Sequence, residues 1–137
     1  QKKTDDVPPF RPPLWIIGAL LAVTLGTGCL LPKGSIAPGA DPIAVQAEAL
    51  AETAGDSMHA FVSWELRNRA GVGRDVTAAA DLVREFGPGY LRELKAATRT
   101  YKASRTRPNA DATRAAIEAL QGLLEQARNY YQPQGTP

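Results

Sequence analysis

Residues 14–31, LWIIGALLAVTLGTGCLL, carry no charge over eighteen positions, and Thr24 and Thr27 are their only polar side chains. A helix rises about 1.5 Å per residue, so a stretch of this length spans roughly 27 Å, near the short end of what crosses a bilayer core. A secretory hydrophobic region needs only about 7 to 15 residues, so residues 14–25 alone would also serve as one, ending ahead of Cys29. Both readings put the chain at a membrane. Everything after Pro32 is then expected to be a module held there.

The two readings differ in what they make of Cys29, the only cysteine. In a lipoprotein, small residues precede a cysteine that is acylated and becomes the new N-terminus. Leu25-Gly26-Thr27-Gly28-Cys29 supplies the small residues, with the large aliphatic residue four places before the cysteine rather than three. In a transmembrane helix Cys29 is instead a buried thiol behaving as a small apolar side chain. Cys29 is therefore a lipidation candidate, and both alternatives stay open. The chain opens on Gln1, whereas a mature lipoprotein would begin at Cys29, which favours an uncleaved anchor unless the sequence is a precursor. Lys2, Lys3 and Arg11 precede the stretch, and positive charge stays cytoplasmic, so the residues beyond it are expected on the non-cytoplasmic side.

The flanks read as connectors. Residues 1–13 are polar and hold Pro8, Pro9, Pro12 and Pro13, which predicts an extended arm. Residues 32–40, PKGSIAPGA, form a linker by composition, and residues 132–137 a tail too short to fold. One small domain remains, residues 41–131, large enough for a single core. From Asp41 onward twelve Lys and Arg face twelve Asp and Glu, so the net charge of +2 comes from the arm and linker. Composition thus gives no general case for nucleic acid as a partner, and one cysteine excludes an intrachain disulfide framework.

Helical periodicity dominates the domain, and no strand pattern occurs. Asp41-Pro42 opens a first helix, the aspartate as N-cap and the proline at the first helical position. Ile43, Ala47, Leu50, Ala54, Met58, Phe61 and Val62 fall on one face, and Gly71 and Gly73 end the helix. Asp75 is expected to cap a second helix, with Val76, Ala79, Ala80, Val83 and Phe86 turned inward. Gly87-Pro88-Gly89 interrupts it, because proline removes one helical hydrogen bond and clashes with the preceding turn. Tyr90, Leu91, Leu94, Ala97 and Tyr101 resume the spacing at once. The favoured expectation is one helix from 76 to about 104, kinked or briefly broken at Pro88; two helices meeting at a sharp corner are the alternative. A third helix is expected after Pro108, with Asn109 as cap and Ala116, Ile117, Leu120, Leu123, Leu124, Ala127, Tyr130 and Tyr131 along its stripe. The fold class is all-α: an N-terminal membrane segment followed by a three-helix antiparallel bundle. Its alanine-rich stripes predict a thin core, and Trp64, Tyr130 and Tyr131 are candidate interface aromatics for self-association or a protein partner, or else caps on the ends of the core.

Residues that could carry chemistry are few. His59, the only histidine, has Asp56 three places before it, which a helix brings within reach. One histidine and one carboxylate make neither a complete metal site nor an assisted base, so no metal, cofactor, small-molecule substrate or enzymatic activity is expected. Ser57, Ser63 and Ser104 lack an activating partner set by any motif. Arg92, Lys95, Arg99 and Lys102, spaced by 3, 4 and 3, share one helix face, with Arg105 and Arg107 following. This cationic ridge can dock lipid head groups, an anionic envelope polymer or an acidic partner. Alternatively it is a solvated face, offset by the helix dipole and by Glu118 and Glu125 on the neighbouring helix.

The hydrophobic leader closing on Cys29, Ala40-Asp41-Pro42, the run Phe61-Val62-Ser63-Trp64-Glu65-Leu66-Arg67-Asn68-Arg69, and Tyr101-Lys102-Ala103-Ser104-Arg105-Thr106 together resemble small lipoproteins of tailed phages and proteobacteria. The resemblance implies an envelope location and a phage or prophage origin, without an activity. The charged arm and the displaced leucine before Cys29 depart from that pattern. The expected function is a non-enzymatic, membrane-tethered helical scaffold or interaction protein, in the periplasm or on the outer side of a bacterial inner membrane. The alternative is a phage lysis or superinfection-exclusion factor acting at the host envelope. Nucleic acid is not expected as a partner.

Overall fold

The computed structural model describes residues 37–131. The arm, the uncharged stretch with Cys29, and the tail lie outside them. Three helices follow in order, α1 (Pro42–Asn68), α2 (Arg74–Ala103) and α3 (Arg107–Tyr131), with a single 3₁₀ turn at Arg69–Gly71 between the first two and no strand among the described residues. No helix among the described residues is long and apolar enough to cross a membrane.

The chain enters through a tight turn in which Ala40 N–H donates to the Ala37 carbonyl at 3.0 Å and Gly39 takes φ 85°. Pro38 presets the first central position and Gly39 supplies the left-handed second one, the combination a type II turn requires. Asp41 then caps α1 as expected. Its Oδ1 accepts from Ile43 N–H at 2.9 Å and Ala44 N–H at 3.3 Å, satisfying two donors that the helix itself leaves free.

The starts of α2 and α3 differ from expectation. Gly73, not Asp75, is the residue before α2, and its carbonyl accepts from Thr77 N–H at 3.2 Å. Asp75 sits inside the first turn, where its charge complements the helix dipole. At α3 the helix begins at Arg107, so Pro108 lies within the first turn, and Asn109 N–H donates to Thr106 Oγ1 at 3.4 Å. Asn109 is therefore capped rather than capping, and its own Nδ2 donates to the Ser104 carbonyl at 2.7 Å.

α2 runs unbroken through Pro88, which excludes the sharp corner. Proline takes one backbone donor from the Arg84 carbonyl, but the exposed Pro88 ring faces solvent and the helix continues on both sides. The stripe explains why. Val76, Ala80, Val83, Gly87, Leu94, Thr98 and Tyr101 are buried at helical spacing, and Gly87 is the member of that series next to the proline. Phe86, expected inward, is 44 % exposed because the buried line passes through Gly87 one position later.

Cross-helix pairs fix the topology. Early α1 meets late α2 at Glu48 and Lys102, mid α1 meets mid α2 at Gly55 and Leu91, and late α1 meets early α2 at Glu65 and Arg84. The two helices are antiparallel, and α3 turns back along α2 after the three residues 104–106. The larger part of α3's packing is against α2, with much less against α1. One core joins Ala47, Leu50, Ala54, Met58 and Phe61 with Val76, Ala79, Ala80, Val83 and Leu94 and with Ile117, Leu120, Leu124 and Ala127. A small second cluster, Ala44, Tyr101 and Ala110, closes the end where α1 begins. The alanines bring the helices close, so each helix contributes few large side chains and the core is thin, as the stripes predict.

Candidate functional site

Because α3 packs mainly on α2, one side of the α1–α2 seam stays uncovered. Two notches lie along it, and no α3 residue lines either. The first, about 310 Å³, is floored by Ala47 and Ala51 of α1 and Thr98 of α2, and rimmed by Glu48, Lys95, Arg99 and Lys102. The second, about 250 Å³, is largely apolar, with Met58, Val62, Val83, Pro88 and Leu91 on its walls and His59 and Arg84 at its edge. Leu91 leans over Gly55, where an added Cβ would stand 3.7 Å from Leu91 Cδ1.

The cationic ridge thus splits. Arg92, Lys95, Arg99 and Lys102 are all exposed on α2 as expected, but only the last three surround the notch, and Arg92 lies outside it. Lys102 Nζ pairs with Glu48 Oε1 at 2.6 Å. The partially neutralising acid therefore comes from α1, and not from Glu118 or Glu125 on α3 as the sequence suggested; Glu125 instead sits 3.8 Å from Arg128 on its own helix. Lys95 and Arg99 have no carboxylate within ion-pair distance among the described residues. Around the notch, three cations face one carboxylate that is already engaged.

At the same end, Asp41 gathers several partners. Its Oδ2 accepts from the Tyr101 hydroxyl at 2.7 Å, and Arg105 Nε lies 4.0 Å away. The Tyr101 hydrogen bond, aided by the two helix N–H groups and Arg105 and opposed by partial burial, holds the Asp41 carboxyl below its usual range. The same bond, together with burial and the Asp41 charge, pushes the Tyr101 phenol up.

The other end holds a feature that the sequence reading missed. Glu65 is fully buried, and its carboxylate accepts from Arg69 Nε at 2.8 Å and from Arg84 Nη2 at 2.9 Å. Both guanidinium groups also reach Asp81, Arg69 through Nη2 at 2.9 Å and Arg84 through Nη1. A buried carboxylate survives only when its charge is paired and its lone pairs are filled, and these two arginines do both. The signal was in the spacing: Glu65 and Arg69 are four apart, and Asp81 and Arg84 three apart. The Glu65 to Arg84 contact crosses helices, and no local pattern gives it.

The remaining candidates are scattered. His59 is exposed at the rim of the apolar notch. Among the described residues no group of three or more His, Cys, Asp and Glu side chains is arranged to hold a metal ion. Trp64 is half-buried against the core, near the C-terminus of α1, while Tyr130 is 45 % exposed near the C-terminus of α3. They mark the same end of the bundle on different helices. Tyr131 closes α3, and its side chain, like Cys29, lies outside the described residues. No family model matches the chain, and neither does any curated protein or solved structure.

Proposed function

We propose that the chain is a non-enzymatic helical interaction module tethered to the bacterial envelope through residues 14–31, with the bundle on the non-cytoplasmic side. The observation that carries this reading is the eighteen-residue stretch without charge, separated from the Asp41 cap by only nine residues. A stretch of that length and apolarity would be costly to leave in water and is long enough for a bilayer core. The preceding Lys2, Lys3 and Arg11 support the orientation. A bundle with one uncovered seam supports a binding role, since that seam is the side on which a partner can lie without displacing α3. As part of the same reading, Pro88 bends α2 where its missing donor opens one turn, and so sets how wide the seam is.

Fractionation tests the tether. The full chain is expected in the membrane fraction after a high-pH carbonate wash, and deletion of residues 14–31 is expected to release it. Cys29→Ser separates the anchors, because a chain held by its helix stays with the membrane and one held by acyl chains leaves it. A full-length chain recovered in the soluble fraction would refute the reading.

A further inference from the structure

We propose that the cationic notch between α1 and α2 is a docking site for the head group of an anionic phospholipid. The inference rests on the tethering reading above, and it adds a ligand class and a place.

Charge is the first reason. Lys95 and Arg99, both on the α2 wall of a recess, have no carboxylate within ion-pair distance among the described residues, while Lys102 is steadied by Glu48. A plain solvated ridge would project from a convex helix surface. Here the groups rim a cavity of about 310 Å³ whose floor is made of the small side chains Ala47, Ala51 and Thr98. The Thr98 hydroxyl is spent on the Leu94 carbonyl at 2.7 Å, so the floor offers no competing donor and the charged rim governs what enters. Guanidinium and ammonium groups at one opening suit a phosphate, the first by paired N–H donors and the second as a point charge.

Position is the second reason. The notch lies at the end of the bundle where the chain enters, since Lys102 pairs with Glu48 two turns into α1 and Tyr101, one residue earlier, bonds Asp41. Nine residues separate Asp41 from residue 31, and an extended chain reaches about 3.3 to 3.6 Å per residue, so Asp41 stays within roughly 35 Å of the membrane that the tether would occupy, and the notch at Ala47 to Ala51, further along α1 at about 1.5 Å per residue, within roughly 50 Å. At that range a bilayer surface is the most concentrated source of phosphate the site meets. The potential of an anionic leaflet falls off within a Debye length, about 8 to 10 Å, so the rim cations engage it where the bundle comes down onto the surface, which a tether of this length permits.

The full chain in nanodiscs tests this by lysine acetylation read out by mass spectrometry. The rate at Lys95 is taken relative to Lys33, which is on the same tethered chain and so near the same surface. In discs containing phosphatidylglycerol the ratio is expected to fall about fivefold compared with pure phosphatidylcholine discs, the effect of roughly one basic contact at such a surface. Arg99→Gln, at a side chain that is exposed and bonded to nothing among the described residues, and 0.5 M salt should each restore it. An unchanged ratio, or equal protection in Arg99→Gln, overturns the site. Slowing of Lys95 by a hexa-aspartate peptide in neutral discs, without any response to phosphatidylglycerol, also overturns it and gives the notch to an acidic polypeptide. Flotation with neutral vesicles separates the two readings. A chain that fails to float there has lost its tether, and the site is then judged by flotation with anionic vesicles: binding that Arg99→Gln weakens at least fivefold supports it, and no binding refutes it.

Discussion

Gly87 and Gly89 flank the same proline in the same helix, yet replacing each by alanine should move stability in opposite directions. Glycine inside a helix costs about 0.5 to 1 kcal/mol relative to alanine, so on backbone grounds alone either change would stabilise. At Gly89 nothing lies within 4 Å of the new Cβ, and the full gain is expected. At Gly87 the Cβ would stand 2.9 Å from Met58 Sδ and 3.6 Å from Val83 Cγ1. Met58 is flexible and lines the apolar notch beside Gly87, yet it is 95 % buried, so moving its sulfur aside gives up packed contacts with the core. Overpacking of this kind costs about 1 to 3 kcal/mol, and the residue before a proline is further disfavoured in helical geometry once it carries a Cβ. The net expectation is a loss of about 1 to 2 kcal/mol for Gly87→Ala against a gain of up to about 1 kcal/mol for Gly89→Ala. At about 4 to 8 °C per kcal/mol for a domain of this size, thermal melts of the full chain in one detergent, followed by circular dichroism, separate the two easily. Met58→Ala combined with Gly87→Ala should show strong favourable coupling, since the double variant removes the clash. Equal or greater stability of Gly87→Ala relative to Gly89→Ala would refute the close-approach argument.

Pro88→Ala restores a donor to the Arg84 carbonyl at an exposed position, so it should stabilise the bundle by about 1 to 3 kcal/mol and shift amide resonances around residues 84–92; a lower melting temperature or unmoved resonances would refute the bend. Changing Arg92, Lys95 and Arg99 to Gln should leave the melting temperature within a few degrees, because exposed charges contribute little, and a large drop would make the ridge part of the fold. The Asp41 to Tyr101 bond makes stability depend on pH with a definite sign. Asp41 titrates below its ordinary value of 3.8 when folded, so the bond's contribution is full above that value and fades as pH falls through the lower folded one. Tyr101→Phe should therefore melt below the parent at pH 6 and converge with it as pH falls through the lowered folded value, and a gap independent of pH would refute the coupling.

Much of the helical layout was legible because it depends on local pattern. Asp41-Pro42 announces a start, and the stripes from Ile43 to Phe61 and from Ile117 to Ala127 need only a count of three and four. The misreadings come from places where a tertiary contact overrides the local cue. Gly87-Pro88-Gly89 reads as a breaker on propensity, and it is Met58 on another helix that turns the first glycine into a packing position. Phe86 continues the spacing of three from Val83 and so reads as inward, yet the buried line takes the spacing of four to Gly87 and leaves Phe86 44 % in solvent. Asn109 has the right chemistry for a cap, and Thr106 three residues earlier has it too; the chain's exit from α2 at Ser104 decides between them. For the ridge, sequence gave the shared face of its four cations, while the recess between Lys95, Arg99 and Ala47 exists only once α1 lies alongside.

The two polar clusters at the ends of the α1–α2 pair bear on why that recess is held open. Alanine-rich faces slide past one another at little cost, because small side chains interlock weakly and one register resembles the next. Near one end Glu65 is buried between Arg69 and Arg84, and at the other Asp41 is bonded to Tyr101. A shift of α2 by one turn would leave the buried Glu65 carboxylate facing no cross-helix guanidinium, a penalty far larger than any loss of alanine contact. Directional polar contacts thus select the register that apolar packing leaves loose, and the Glu48 to Lys102 pair follows from it. With both ends pinned, the seam between them is a fixed feature of the bundle, and Lys95 and Arg99 keep their place beside Ala47 and Ala51 of α1, which a sliding helix would not preserve.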